Sequence, residues 1–216
     1  MQNSGSPIGG QDSPPRGRGR PRAFDREGAL AKATRLFWQK GYEATSINDL
    51  TEAMGIGAPS LYAAFGSKDA LYREALRHYG DNYDAQVWDG FRKAPSARAA
   101  VQAYLLDSAA ALTGSLGDQP LGCMVTLSSA GCDGVSDLGD TMRAARRAGY
   151  ERLEARLARA VTDGELAAGT DIHALARFAQ TMQSGMSILA RDGAGRAELE
   201  EAARIAMLGW DARVKG

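Results

Sequence analysis

Apolar residues recur at spacings of three and four positions along nearly all of the chain beyond residue 24, and no stretch alternates between β-branched and polar residues. Spacings of three and four place apolar side chains on one face of a helix, whereas half-buried strands require alternation. Ala, Leu, Arg and Glu, which favour helices, dominate these stretches. The pattern therefore predicts an all-α protein of about nine helices with no internal repeat.

Polar caps and glycine turns divide this pattern into separate helices. Asp25, Asp171, and Ser46 with Asp49 three residues later have the chemistry of helix N-caps. Gly41 stands where a helix commonly ends. The predicted helices cover, in approximate residue numbers, 25–40, 46–54, 58–65, 68–91, 96–116, 123–130, 136–162, 172–190 and 196–213.

Residues 46–65 are predicted to form a helix, a glycine turn and a second helix. The predicted inner face is apolar and consists of Ile47, Leu50, Ala53, Ile56 and Leu61. The predicted outer face carries Asn48, Ser60 and Tyr62. Because a small residue at the turn lets the second helix cross the first sharply, this segment has the form of a helix-turn-helix unit. On the pattern alone, an ordinary helical hairpin is an equal alternative.

The charge of the chain is balanced overall but unevenly distributed. The 216 residues include 26 Lys and Arg and 26 Asp and Glu, a balance that taken alone argues against a nucleic-acid partner. Residues 16–40, however, contain eight basic and two acidic residues, and residues 1–80 contain 11 basic and eight acidic. Because residues 1–22 are rich in Gly, Ser, Pro and Arg, they are predicted to form a flexible basic arm. Such an arm attracts DNA phosphates, either non-specifically or from the minor groove.

Several classes of protein do not fit the composition. No run approaches the roughly 18 apolar residues of a membrane span, and the amino terminus lacks the charged and apolar regions of a signal peptide. Two cysteines cannot build the disulfide framework of a secreted protein. We therefore expect a cytoplasmic protein with no membrane partner.

Three segments carry a family resemblance. They read FWQKGYEATS at 37–46, MGIGAPSLY at 54–62 and FGSKDALY at 65–72. Together they resemble the TetR/AcrR family of bacterial transcriptional repressors, most densely over residues 23–79. With the basic arm over 1–22, the resemblance implies a helix-turn-helix DNA-binding domain over 23–80 and an effector-binding and dimerisation domain over 81–216.

The resemblance also implies roles for individual residues at the DNA. Thr45 and Ser46 would offer hydroxyls and a helix N-terminus to one phosphate, which the helix dipole favours. Tyr62 and Lys68 would each contact another phosphate. The predicted DNA-binding set is Arg18, Arg20, Arg22, Tyr42, Thr45, Ser46, Ala58, Pro59, Ser60, Tyr62 and Lys68.

The chain departs from the family pattern in the second helix of the unit. Gly57 replaces the usual capping serine, and Ala63 and Ala64 stand where polar or aromatic residues are common. Ser60 is then the main side chain able to bond a base, while Ala58 or Pro59 can only touch a thymine methyl group. We therefore expect specificity to depend partly on the arginine arm and on DNA shape.

The second domain is expected to hold an effector pocket and a dimer interface. Aromatic and sulfur-containing side chains give the predicted pocket, which consists of Trp88, Phe91, Tyr104, Cys123, Met124, Tyr150, Phe178 and Met182. The last two helices are apolar on several faces, and in the family they form a four-helix bundle with a second subunit. The predicted interface consists of Gln183, Gly185, Met186, Leu199, Ala203, Met207 and Trp210.

No enzyme chemistry is expected. The chain shows no nucleophile–base pair, no carboxylate pair and no glycine-rich phosphate loop, so no catalytic residue is assigned and no cofactor is expected. His78 and His173 lack the spacing of metal ligands, so no metal site is expected either.

The resemblance implies a ligand-responsive repressor. It would bind a palindromic DNA operator as a homodimer and leave the DNA when a partly apolar small molecule binds the C-terminal domain. One alternative is a redox-sensing repressor that uses Cys123 and Cys132. Another is an architectural DNA-binding protein that acts through its basic arm without an effector.

Overall fold

The computed structural model describes residues 24–128 and 137–215. Within these ranges the chain forms nine helices and no strand, which confirms the all-α prediction. In chain order the helices are α1 (Arg26–Lys40), α2 (Ile47–Met54), α3 (Ala58–Phe65), α4 (Lys68–Lys93), α5 (Ala97–Leu112), α6 (Met124–Leu127), α7 (Asp137–Thr162), α8 (Ile172–Arg191) and α9 (Arg196–Lys215). In the part of the chain so described, no helix has both the length and the apolar character needed to cross a membrane.

Helix α5 ends four residues earlier than its apolar spacing predicts. Gly114 takes a positive φ of 66°, which glycine adopts without strain, and its N–H donates to the carbonyl of Ala111. The N–H of Ser115 donates to the carbonyl of Ala110 at 3.1 Å. These two bonds close a Schellman motif, so Leu116 falls outside the helix and is exposed.

The buried side chains form two hydrophobic cores that share α4. One core joins α1, α2, α3 and the first half of α4 and also receives Met124, Leu138 and Met142. The other core joins the second half of α4 to α5, α7, α8 and α9. The predicted domain boundary at residue 80 lies inside α4, so a continuous helix connects the two cores.

Polar contacts also tie the two cores together. The indole N–H of Trp38, near the end of α1, donates to the carbonyl of Gly122 at 2.8 Å in a buried position. Arg191, at the end of α8, donates to the carbonyls of Trp38 and Gln39 at 2.9 and 3.1 Å and to that of Leu121 at 3.0 Å. The end of α1 is therefore fixed directly to α8 and to the segment before α6.

Gly122 is required where these elements meet. Its φ is 75°, and a Cβ atom there would stand 2.9 Å from the carbonyl oxygen of Ser187 and 2.3 Å from a methyl carbon of Leu127. Any other residue would be strained in its backbone and would also clash with α8. The close approach brings the segment before α6 against α8.

Candidate DNA-binding surface and effector pocket

Helix α2 begins with a reciprocal cap at Ser46. Ser46 Oγ accepts from the N–H of Asp49 at 3.0 Å, and the N–H of Ser46 donates to Asp49 Oδ2 at 2.8 Å. Lys40 Nζ lies 2.9 Å from Asp49 Oδ1. Hydrogen bonds from Lys40 and Ser46 hold the pKa of the Asp49 carboxyl well below its usual range. The exposed N-terminus of α2 is thus ordered before any DNA binds.

Thr45 does not offer its hydroxyl to a phosphate, contrary to expectation. Its side chain is fully buried, and Oγ1 donates to the carbonyl of Gly41 at 2.6 Å. Its N–H donates to the carbonyl of Tyr42 at 3.3 Å. Both donors of Thr45 are therefore used within the turn between α1 and α2. Thr45 helps to position Ser46, and of the two residues only Ser46 is exposed.

Helix α3 presents a short and mostly apolar outer face. Leu61 and Phe65 are buried in the core, whereas Pro59, Ser60 and Tyr62 are exposed and Ala58 is half-buried. Gly57 caps the helix without a side-chain hydrogen bond, so the first N–H groups of α3 point outward free of a capping side chain. Among the residues of this face that were predicted to bind DNA, the polar groups are the hydroxyl of Ser60 and the phenol of Tyr62.

Tyr42 and Lys68 lie beside each other next to this face. The Tyr42 hydroxyl donates to Asp69 Oδ1, and Lys68 Nζ stands 4.2 Å from the centre of the Tyr42 ring. Burial and the Asp69 carboxylate raise the pKa of Tyr42 well above its ordinary value of 10.0. Tyr42 is therefore a neutral support, and the ammonium group of Lys68 is the part of this pair able to bind a phosphate.

The basic residues of α1 contribute less free charge than their number suggests. Arg26 pairs with Glu74, Arg35 with Asp118 and Lys40 with Asp49. Lys32 has no carboxylate within ion-pair distance among the described residues, and it lines a groove with Ser60 and Ala63 of α3. Sequence reasoning did not single out Lys32, although its place on the polar face of α1 was a usable signal. Arg18, Arg20 and Arg22 lie outside the described residues.

A cavity of about 780 Å³ lies between α4, α5, α7 and α8. Residues of the segment 119–126 also line it. Six aromatic side chains line the wall, which are Trp38, Tyr79, Tyr83, Trp88, Tyr104 and Tyr150. This volume is typical of sites for small molecules. The wall combines aromatic rings with many polar and charged side chains.

Cys123 occupies a fixed position on the cavity wall. Its N–H donates to Ser187 Oγ at 2.8 Å, and its sulfur accepts from the Tyr79 hydroxyl at 3.4 Å. Burial raises the pKa of Tyr79 well above 10.0, and burial also raises that of Tyr104, so both phenols are neutral donors. Cys132 lies outside the described residues.

Comparison with known proteins places this arrangement in a family. Residues 29–75 match the family described as "Bacterial regulatory proteins, tetR family". Over 204 residues the chain is 38% identical to the HTH-type transcriptional repressor ComR of Escherichia coli (strain K12), a similarity that covers 92% of this chain and 94% of ComR. The chain belongs to the TetR family.

Two further proteins are similar to this TetR-family chain, one over a short stretch and one over most of its length. The HTH-type transcriptional repressor BdcR of Escherichia coli (strain K12) is 51% identical over 61 residues, which are 28% of this chain and 31% of BdcR. The TetR family transcriptional regulator CifR, solved as a cysteine mutant complexed with 26 bp double-strand operator DNA, is 41% identical with a TM-score of 0.81. That match covers 88% of this chain and 98% of the CifR chain.

Within this TetR-family fold, four of the eight predicted pocket residues line the cavity and four do not. Those on the wall are Trp88, Tyr104, Cys123 and Tyr150. Phe91 is buried in the core beside Trp88, and Met124 is buried in the core shared by α1 to α4. Phe178 and Met182 pack against the other core from the neighbouring side of α8. Phe178 and Met182 were assigned to the pocket because they are apolar, but the face of α8 that lines the cavity is polar.

The polar residues of that cavity face were missed by sequence reasoning. Helix α8 lines the cavity with Arg177, Gln180, Gln183 and Ser184, and α7 does so with Arg143, Arg146, Arg147 and Arg152. Gln183 is 9% exposed, and its Oε1 accepts from Thr126 Oγ1 at 3.4 Å. A glutamine among the apolar positions of α8 was the available signal, but it was assigned to the dimer interface.

The predicted dimer interface must also be corrected. Six of its seven residues are at most 9% exposed within the single chain, which are Gln183, Met186, Leu199, Ala203, Met207 and Trp210. These side chains pack inside the protomer and leave almost no surface for a partner. Gly185 alone among the seven is exposed.

Proposed function

We propose that this TetR-family chain is a transcriptional repressor that binds an operator as a homodimer and leaves it when a small molecule occupies the cavity. The observation that carries the proposal is that α4 follows the exposed α3 and also lines the cavity. One continuous helix therefore connects the candidate DNA-binding surface with the candidate effector pocket. The operator DNA in the CifR complex supports double-stranded DNA as the partner. The names of ComR and BdcR support repression.

The proposed dimer uses an exposed apolar face on α8 and α9. Large hydrophobic side chains there are about half-exposed or more, at 49% for Leu189, 52% for Ile188, 61% for Ile205 and 67% for Leu208. A Cβ atom added at Gly185 would meet no neighbouring atom, so another helix can approach closely there. Contiguous exposed apolar surface on adjacent helices is typical of a protein interface. A twofold dimer would set two α3 helices about 34 Å apart on a palindromic site.

The proposed coupling runs from the cavity to α1 and α3. Trp38 and Tyr79 line the cavity and pack at right angles with ring centroids 4.8 Å apart. Trp38 also belongs to the core of the DNA-binding helices, and Arg191 holds its carbonyl. A ligand that prefers one arrangement of these rings would shift the population between DNA-binding and non-binding states. The cavity therefore supports an effector-responsive protein over the architectural alternative.

The test is a gel-shift assay with DNA fragments flanking the gene of this protein, repeated with candidate small molecules. The proposal predicts a discrete shift at nanomolar protein, a footprint with twofold symmetry, and loss of the shift when an effector is added. No shift with any flanking fragment would contradict it.

A redox-sensing repressor is the second candidate, favoured by the position of the Cys123 thiol on the cavity wall. It predicts that peroxide or a quinone abolishes the gel shift of the wild-type protein and leaves that of Cys123→Ser intact. Binding that survives the oxidant in both proteins would remove this candidate.

A further inference from the structure

The cavity is lined by far more positive than negative charge. Its wall includes five arginines and one carboxylate, Asp84, and no lysine or glutamate in the described part of the chain. A concave, partly enclosed surface of one sign concentrates its electrostatic field, because the protein wall screens charge poorly. Two of these arginines pair with carboxylates that do not line the wall, Asp140 and Glu151, and an excess of two positive charges remains, so the cavity favours an anionic ligand over a neutral or cationic one.

Four of these arginines already have partners. The contacts are Arg143 with Asp140 at 2.6 Å, Arg147 with Glu151 at 2.7 Å, Arg152 with Asp84, and Arg177 with Gln180 at 2.7 Å and over the Tyr150 ring. Arg146 differs from them. Its Nη1 makes two long contacts, 3.3 Å to the carbonyl of Val125 and 3.4 Å to that of Ser128, and no carboxylate of the described residues pairs with it.

Arg146 is therefore the arginine with spare binding capacity. A guanidinium has five N–H donors, and the Nε and Nη2 donors of Arg146 have no partner among the described residues. The side chain is half-buried, which limits screening by water. A ligand carboxylate can pair with two of these donors at once in the fork geometry that arginine favours.

Two further donors lie deep in the cavity. Tyr104 is 4% exposed and Gln183 is 9% exposed, and both line the wall. Neither the Tyr104 hydroxyl nor the Gln183 amide nitrogen has a hydrogen-bond partner within the described residues. Donors on a cavity wall that no protein group satisfies are available to bond a ligand or water. A buried side-chain acceptor on this wall, Oε1 of Gln119, has no partner among the described residues and would suit a ligand hydroxyl.

The apolar part of the wall is aromatic. Trp88 and Tyr104 stand with ring centroids 4.7 Å apart, and Tyr79 and Tyr83 stack at 5.5 Å. Rings of this kind prefer to pack against another ring in offset or edge-to-face geometry. An aromatic body of one or two rings fits a cavity of about 780 Å³.

We propose that the effector is an aromatic carboxylate whose carboxylate pairs with Arg146 and whose ring packs among the aromatic side chains of the cavity. The proposal rests on the proposed function, since it names the chemical class of that effector. Arg146 also contacts the carbonyl of Ser128, and the Ser128 hydroxyl is 2.6 Å from that of Tyr72, a residue buried in the core of α1 to α4. A carboxylate bound to Nε and Nη2 would pull on the same guanidinium whose Nη1 contacts Ser128, and that contact leads to the DNA-binding helices.

The test is isothermal titration calorimetry on the full-length protein without DNA. The probes are phenylacetate, cinnamate, 4-phenylbutyrate and 2-naphthylacetate, each with its primary amide and the corresponding amine. At least one acid is expected to bind about tenfold or more tightly than its amide, and the amines more weakly still. Equal binding of acid and amide throughout the panel, tighter binding of an amine, or no binding by any acid would overturn the proposal.

Substitutions test whether Arg146, rather than another arginine of the cavity, binds the carboxylate. Arg146→Gln is expected to weaken binding of the best acid about tenfold while leaving its amide unchanged, and Arg146→Lys to restore part of the preference. Arg147→Gln is the matched control, because Arg147 is the next residue, is exposed and already pairs with Glu151. Acid binding that is unchanged in Arg146→Gln would overturn the role of Arg146. Circular dichroism and Tm show whether each variant is folded.

Adding operator DNA separates this proposal from the proposed function. If an acid binds at Arg146 but leaves DNA affinity unchanged, the ligand class stands and ligand-induced release fails. If only neutral molecules release the DNA, the repressor function stands and the carboxylate proposal fails.

Discussion

Ser46 and Lys68 are predicted DNA-binding side chains that combine polar chemistry with accessible surface and a fixed setting, and Ser60 and Tyr62 are exposed polar side chains of α3. Ser46 is held by Asp49, and Lys68 lies over the Tyr42 ring. Thr45 is buried instead. Family resemblance pointed to this region, but it could not distinguish a hydroxyl that closes a turn from one that is exposed at the surface. That difference depends on the direction of a side chain and not on residue type.

Replacing Ser46 by alanine tests the cap at the DNA surface. Loss of the Ser46 cap is expected to cost about 1 kcal/mol of stability and to weaken operator binding severalfold, because the N-terminus of α2 loses its order. Ser96→Ala is the control, since Ser96 Oγ likewise accepts from the N–H three residues later, that of Ala99, at the start of α5. Both variants should lower Tm similarly in thermal unfolding, and only Ser46→Ala should raise the Kd for DNA. Equal DNA affinity of the two variants would argue against a role for the α2 N-terminus.

Deleting residues 1–22 tests the basic arm. This segment contains four arginines, Arg16, Arg18, Arg20 and Arg22, and each arginine that contacts a phosphate should add about 0.9 to the slope of log K against log salt. The deletion is expected to weaken operator binding at low salt and to flatten that slope in an anisotropy titration from about 50 to 200 mM salt. An unchanged slope would show that the arm does not contact phosphates.

At the scale of elements, the predicted helices match the structure in number and order because apolar spacing and N-caps are local signals. Asp25 and Ser46 both cap the helices predicted from them. The end of α5 was misplaced because apolar residues continue past the Gly114 turn. The cavity face of α8 was missed because its side chains are polar, and only packing against α4 and α7 reveals that they line a cavity. The contacts of Arg191 with Trp38, Gln39 and Leu121 could not be predicted either, because they join residues far apart in the sequence.

Replacing Arg191 by alanine tests the connection between α8 and α1. Its guanidinium holds the carbonyls of Trp38 and Gln39 at the end of α1. The variant is expected to bind effector in calorimetry and DNA in anisotropy within a few-fold of wild type. The loss of DNA affinity caused by effector should shrink about tenfold, since that loss is the coupling free energy. Arg213→Ala, an exposed arginine on α9, is the control and should keep full coupling.

At the scale of the whole molecule, the described residues form two cores joined by α4 and leave an apolar face exposed on α8 and α9. The sequence correctly indicated that these last two helices are apolar on more than one side. It could not indicate which side faces inward, because both sides have the same composition and period. The structure assigns Met186 and Trp210 to the core and leaves Ile205 and Leu208 at the surface.

Replacing Leu208 by glutamate tests the proposed dimer. A carboxylate placed in an apolar interface costs far more than it does on an exposed surface, so dimers should dissociate. Sedimentation velocity at micromolar protein is expected to show a monomer, with operator affinity at least about tenfold weaker because one α3 helix then binds alone. Leu116→Glu is the control, since Leu116 is an exposed leucine that lies between α5 and α6. A Leu208→Glu protein that remains dimeric would contradict the assigned face.

Operator binding by a variant of the α3 surface tests the central claim most directly. Fluorescence anisotropy would give the Kd of wild type, Ser60→Ala/Tyr62→Ala and Leu116→Ala for a duplex from the region flanking the gene. Because Ser60 and Tyr62 are the exposed polar side chains of α3, the double variant is expected to bind at least about tenfold more weakly, with Leu116→Ala unchanged. Equal Kd values for wild type and the double variant would contradict the account.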